Sequence, residues 1–271
     1  MYKLIAIDLD GTLLTDELKI TPDTVAAIQK VVESGVVVTI ATGRMFPSAK
    51  QFAQQLGINV PLITYQGAII KDVNEKEVMY ERLVTPTIAQ KLVEIASEKN
   101  VHIQVYQDDI LYVTSDNDKI QAYAREADVS YTIVPNLSDL AKKGFTKILF
   151  IEEPNVLDTL QVELRALFGT EAHIVKSKTT YLEVTHPEAN KGSALLHLAN
   201  ELGIHRSEII GLGDNHNDLD LIATAGLGIA MGNAVKELKD IADYVTLTNN
   251  EEGVLHAIEK FVLAPVDVPN E

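Results

Sequence analysis

Asp8 and Asp10 stand two positions apart in Asp8-Leu9-Asp10-Gly11-Thr12-Leu13, directly after the apolar run from Leu4 to Ile7. Asp and Gly are also ordinary turn residues. Two carboxylates at the end of a buried strand, however, repel each other and lose solvation, so one takes up a proton unless a cation lies between them. A second acidic segment, Gly211-Leu212-Gly213-Asp214-Asn215-His216-Asn217-Asp218, follows another apolar run, and Asp214 and Asp218 can point to the same strand end. The alternative for this segment is a helix N-cap by Asp214 or Asn217. Mg²⁺ takes octahedral oxygen ligation from a few carboxylates and retained waters, and two strand-end clusters supply that chemistry.

Thr42 and Gly43, in Ala41-Thr42-Gly43-Arg44, offer a hydroxyl and a backbone N–H to phosphate oxygens. A Thr-Gly pair after a strand also makes a plain turn, and Arg44 reads equally as a surface cation. Lys191, in Asn190-Lys191-Gly192, falls where a helix begins. The macrodipole disfavours cations there, so the lysine calls for an explanation unless it is simply solvated.

These residues need a scaffold that brings strand ends together, and the chain's periodicities provide one. Strand-like Lys3 to Leu9, Val36 to Ala41 and Leu62 to Tyr65 alternate with two helices. The first starts at Thr21-Pro22, presents Val25, Ile28, Val31 and Val32 on one face and stops near Gly35; the second covers Pro47 to Leu56 and is closed by Gly57. This is βαβαβ, the pattern of a mostly parallel sheet covered on both sides, with ligands outside the carboxyl ends of its strands. A hairpin from Ile69 to Leu83 turns at Asn74-Glu75, and a helix capped by Thr85-Pro86 ends near Asn100. A β-rich stretch follows: a hairpin from Val101 to Tyr106 and Ile110 to Thr114 across Gln107-Asp108-Asp109, then strands Phe145 to Ile151 and Tyr181 to Val184. After Pro187 the α/β alternation returns, with a helix from Lys191 to Leu202, strand Ile209 to Leu212, a helix near Asn217 to Ala225 and strand Leu227 to Met231. Two halves of one sheet thus flank an inserted α+β domain. The stretch from Ala264 to Glu271 reads as a loose tail.

Composition narrows the function. The 271 residues are 46% hydrophobic, enough for a core. No apolar run reaches membrane-spanning length, and the absence of cysteine removes disulfides, thiolate catalysis and Cys-ligated zinc. A cytoplasmic address fits. The formal charge of −16 argues against nucleic acid and anionic membranes as partners, and an anionic small molecule would need a local positive patch or a bound cation.

In order along the chain, DLDGTL at Asp8, TGR at Thr42, NKG at Lys191 and GDNHND at Asp214 resemble the four motifs of the haloacid dehalogenase superfamily of phosphotransferases. The insert after the third strand resembles the type IIB cap of Cof-like sugar phosphatases. The resemblance implies a Rossmann-like catalytic core over 1–83 and 187–271 and an α+β cap of the C2B kind over 84–186. It also implies that Asp8 attacks phosphorus, that Asp10 protonates the leaving oxygen and then activates water, and that Mg²⁺ is held by Asp8, the Asp10 carbonyl and Asp214, with Asp218 behind them. Leu9, Thr42, Gly43, Lys191 and Asn217 would hold the phosphoryl oxygens. Leu221 replaces the methionine common in the fourth motif, an apolar swap of similar volume, and His216 is given no role.

The activity implied is hydrolysis of small phosphorylated metabolites, sugar phosphates first, with no protein partner. A phosphomutase on the same scaffold and a non-catalytic sugar-phosphate sensor are the competing expectations. Substrate identity would lie in the cap, where Tyr106, Asp108, Lys178 and Tyr181 are the polar candidates.

Overall fold

The computed structural model describes residues 1–74 and 77–263. The expected hairpin turn at Asn74-Glu75 falls partly, and the expected tail from Ala264 wholly, outside them. The chain folds as two compact units: one comprises Met1–Gly43, Ala49–Val78 and the chain from Asn190 onward, the other Arg44–Ser48 with Met79–Ala189.

In the first unit five strands form one sheet in the order Tyr244–Val245, Leu227–Ala230, Ile209–Gly213, Leu4–Ile7, Val37–Ile40, and every pair is parallel. Strand Leu4–Ile7 lies between Val37–Ile40 from its own half and Ile209–Gly213 from the other. All four of its residues are buried, as a sheet covered on both faces requires. Strand Leu62–Thr64 joins beyond Val37–Ile40 through a parallel bridge between Ala41 and Ile63, and turns back on Ile69–Lys71. Tyr65, expected to continue that strand, instead has φ +52°, which ends the extended run one residue early.

Helix Pro22–Glu33 starts where its signals place it: the Thr21 hydroxyl accepts from the Thr24 amide and Pro22 occupies the first turn. Its buried stripe is Thr24, Ala27, Ile28 and Val31. Val32, expected on that face, is exposed, because one residue is a 100° rotation away from Val31. Helix Phe46–Leu56 ends at Gly57, with φ +70°, and helix Lys191–Glu201 is followed by Gly203, with φ +67°.

The second unit holds a six-stranded sheet in the order His173–Lys178, Tyr181–Thr185, Lys147–Ile151, His102–Gln107, Ile110–Val113, Thr132–Ile133. Its pairs are antiparallel except the last. The edge strands His173–Lys178 and Thr132–Ile133 gave no apolar alternation and went unpredicted; both are polar or exposed over most of their length. One face packs Ile103, Val105, Ile148 and Phe150 with Leu92 of helix Pro86–Lys99 and Leu160 of helix Pro154–Phe168. By register the opposite face carries Gln104, Tyr106, Lys147 and Glu183, all buried. Of the candidate cap residues, Asp108 is a left-handed hairpin-turn residue at φ +52°, Lys178 and Tyr181 both engage Glu126, and Tyr106 is sealed beneath Tyr123 of helix Asp118–Ala127. No helix among the described residues is long and apolar enough to cross a membrane.

Candidate active site

Adjacent parallel strands deliver two of the acidic residues to one edge. Asp8 follows Leu4–Ile7, and its amide donates to Leu212 O at 3.1 Å, while Asp214 follows Ile209–Gly213. Past Asp8 the backbone folds on itself: the Thr12 and Leu14 amides donate to Leu9 O and the Leu13 amide to Asp8 O. That turn needs Gly11 at φ +78°, where a Cβ would lie 2.4 Å from Asp214 Oδ2. Thr12 donates its hydroxyl to Asp214 Oδ1 at 3.2 Å.

Lys191 is the first residue of its helix, whose N-cap Asn190 accepts from the Ser193 amide at 2.7 Å. The side chain is wholly buried, and its ammonium donates to Asp8 Oδ1 and to Asp218 Oδ1, each at 2.6 Å. A cation at the unfavourable end of a helix is thereby compensated by two carboxylates. Asp218 is equally buried, and its Oδ2 accepts the amides of Asp214 and Asn215 at 3.0 and 3.1 Å. The capping role considered for Asp214 or Asn217 falls to Asn215, which caps the short 3₁₀ turn His216–Asp218 reciprocally with Asp218.

The electrostatics follow from this enclosure. Burial, then the charge of Asp218, push the Asp8 carboxyl well above the ordinary range, against the opposing pull of Lys191. Burial and Asp218 likewise raise Asp214 to about 6, with the Thr12 hydrogen bond pulling the other way. Burial pushes Lys191 down, but Asp218 and Asp8 together outweigh it and the ammonium is held above its usual value. Ligand atoms of Asp8, Asp214 and Asp218 lie within 4.8 Å of one another. Three carboxylates against one ammonium leave a double negative charge when all are ionised, which a divalent cation with oxygen preference would balance. The two oxygens of Asp218 already accept three hydrogen bonds, whereas the Asp214 carboxylate accepts one, from Thr12, among the described residues, so Asp8 and Asp214 are the better placed to hold a divalent cation.

The remaining predicted residues sit around this cluster in the same unit. Leu9 is buried at the turn after Asp8, and Asp10 is exposed, with its charge felt at Asp214. Thr42 is buried beyond strand Val37–Ile40, with its amide bonded to Ile63 O and its carbonyl to the Gln66 amide. Asn217 donates from Nδ2 to Gln66 Oε1 at 3.0 Å, and a Cβ on Gly43 would lie 2.3 Å from Gln66 Nε2. Gln66 therefore joins the Thr42-Gly43 turn to Asn217. Sequence reasoning missed it, together with Thr12 and the N-cap Asn190. The available signal for Gln66 was a polar residue with glycine at a strand end. Arg44 donates to Ser48 Oγ within the second unit, and His216 is exposed, 3.7 Å from Glu237.

Residues 5–258 match the family model described as haloacid dehalogenase-like hydrolase. The chain belongs to this family. Among related haloacid dehalogenase-like hydrolases, the 5-amino-6-(5-phospho-D-ribitylamino)uracil phosphatase YcsE of Bacillus subtilis is 34% identical over 263 residues, 96% of each chain. The crystal structure of TM0651 from Thermotoga maritima superposes with a TM-score of 0.89 at 39% identity, covering 96% of this chain and 97% of that one. The subclass IIB sugar phosphatase BT4131, at 23% identity and a TM-score of 0.84 over 96% of this chain and 98% of that one, shares the fold. The protein is accordingly a haloacid dehalogenase-like phosphatase.

Proposed function

We propose that this phosphatase hydrolyses small phosphorylated metabolites, sugar or polyol phosphates first, with Mg²⁺ and through an aspartyl-phosphate on Asp8. The observation that carries the reading is the buried Lys191 ammonium, 2.6 Å from Asp8 and beside a cluster of acidic oxygens. Lys191 fixes one Asp8 oxygen, so the other attacks phosphorus, and the bond from phosphorus to the ester oxygen breaks. Asp10, exposed at the mouth of the turn, gives its proton to that leaving oxygen. It then takes a proton from the water that attacks phosphorus, the acyl phosphate opens, and Asp8 is regenerated as phosphate departs.

The Thr42 hydroxyl, the Leu9 and Gly43 amides, Lys191 and the Asn217 amide hold the phosphoryl oxygens as their charge grows. Asp8, the Asp10 carbonyl and Asp214 would hold Mg²⁺, which would supply Lewis-acid neutralisation of those oxygens. Asp218 fixes Lys191 and the backbone of Asp214 rather than meeting substrate. Choice among phosphate esters is assigned to the insert, residues 84–186. The polyol phosphate named for the Bacillus subtilis relative supports a small polyhydroxylated substrate, and the cysteine-free composition supports a cytoplasmic one.

The test is release of inorganic phosphate from a panel of sugar and polyol phosphates, with and without Mg²⁺, by the wild type, Asp8→Asn and Asp10→Asn. Mg²⁺-dependent release that falls by at least about 10³-fold in Asp8→Asn supports the reading; release that survives in Asp8→Asn removes it.

A further inference from the structure

Tyr65, Gln66 and Gly67 form three consecutive residues in the left-handed region, at φ +52°, +61° and +91°. Only the third is a glycine, so the first two are held against their intrinsic preference by what surrounds them. Tyr65 is fully buried. The Gln66 amide donates to Thr42 O at 3.1 Å, and Gly67 lies so close to the chain before Lys191 that a Cβ would stand 2.3 Å from Asn190 O. This turn thus touches the segments that carry Thr42, Gly43 and Lys191.

Its side chain completes the set. Gln66 Oε1 accepts one N–H of Asn217, which turns that amide's nitrogen, not its oxygen, towards Gln66 and leaves the second N–H to donate elsewhere. The other end of the Gln66 carboxamide rests where Gly43 has no side chain. A turn conformation that costs stability at two residues, and that a glycine would adopt without strain, is here spent on presenting one carboxamide.

From this geometry we infer that Gln66 is a positioning residue for phosphoryl transfer, which orients the Asn217 amide and braces the Gly43 backbone so that both donate to the phosphoryl oxygens. The inference rests on the proposed roles of Asn217 and Gly43. Gln66 acts through Asn217, and its loss weakens the hold on phosphate without disturbing Asp8 or Lys191.

Gln66→Gly separates this role from a structural one, because glycine suits φ +61°, so the side chain is removed while the turn's backbone conformation is kept without strain. The measurements are thermal melting, kcat and KM on the best ester of the panel, and product inhibition by inorganic phosphate, for the wild type, Gln66→Gly, Asn217→Ala and the double variant. Expected are a melting temperature equal to or above that of the wild type, a fall in kcat/KM of about tenfold, weaker inhibition by phosphate, and a double variant whose loss falls clearly short of the product of the two single losses. A kcat/KM within about twofold of the wild type in folded Gln66→Gly, or losses that simply multiply in the double variant, would overturn the inference. Failure of the proposed chemistry itself would show differently, as wild-type release that Asp8→Asn retains.

Discussion

Each unit buries a lysine, and the two are solved in opposite ways. Lys147 in the second unit is 3% exposed, lies 3.6 Å from Glu183 and 4.8 Å from the centre of the Tyr106 ring, and its pairing is one charge against one. Burial pushes its ammonium down, and Glu183 more than offsets that. Lys191 in the first unit faces Asp8 and Asp218 at 2.6 Å with Asp214 beyond, and its surroundings carry more negative charge than it can neutralise. A neutral buried pair is complete as a piece of structure. An unbalanced one makes room for a cation, and burial together with the excess negative charge raises Asp8 and Asp214 above the ordinary carboxylate range.

The comparison breaks most readily at the lysines. Lys191→Met strands two buried carboxylates and should cost about 3–5 kcal/mol in urea unfolding at neutral pH, whereas Lys147→Met strands one, nearer solvent, and should cost about 2 kcal/mol. Equal losses would mean that the excess negative charge has no energetic consequence. Added Mg²⁺ sharpens the contrast: at a hundredfold excess over its dissociation constant it should stabilise wild type and Lys147→Met by about 2.7 kcal/mol, and Asp214→Asn far less.

pH supplies the next smaller effect. The folded state holds the Asp214 proton up to about pH 6, above the ordinary value of 3.8, and the Asp8 shift has the same sign. Metal-free protein should therefore lose stability as pH rises between those values, and Mg²⁺ binding, which must displace the proton, should strengthen over the same interval. Melting temperatures against pH, with and without Mg²⁺, would show opposite slopes, both flattened in Asp214→Asn. Smallest of all, Leu221→Met, at a fully buried position, should change stability by less than about 1.5 kcal/mol.

Much of this was readable from residue order. Buried parallel strands announce themselves as unbroken apolar runs, and Thr21-Pro22, Gly57 and Gly203 marked helix ends because their conformational demands are local. The acidic residues were legible because carboxylates at the ends of apolar runs need compensation, Lys191 because a cation at a helix N-terminus does, and the structure brings Asp8, Asp214, Asp218 and Lys191 together. The mutual hydrogen bonding that turns Asp218 towards Lys191, and the placement of Gln66 between Gly43 and Asn217, were not legible. Both depend on contacts between segments far apart in the chain, and Tyr65 and Gln66 adopt a backbone that their residue types disfavour. The edge strand His173–Lys178 hid for the opposite reason, since half-solvated polar residues leave no alternation to detect.

The pairing of Leu4–Ile7 with Ile209–Gly213 has a bearing on biosynthesis. The central strand leaves the ribosome early, yet its inner neighbour is translated some two hundred residues afterwards, a wait of about 10–40 s at 5–20 residues per second. During that interval its hydrogen-bonding edge is open and Asp8 has no ammonium to meet, because the bond to Lys191 closes a span of 183 residues. The first unit must therefore complete its fold after translation has passed the insert, which makes the nascent N-terminal half the segment with most to gain from a chaperone.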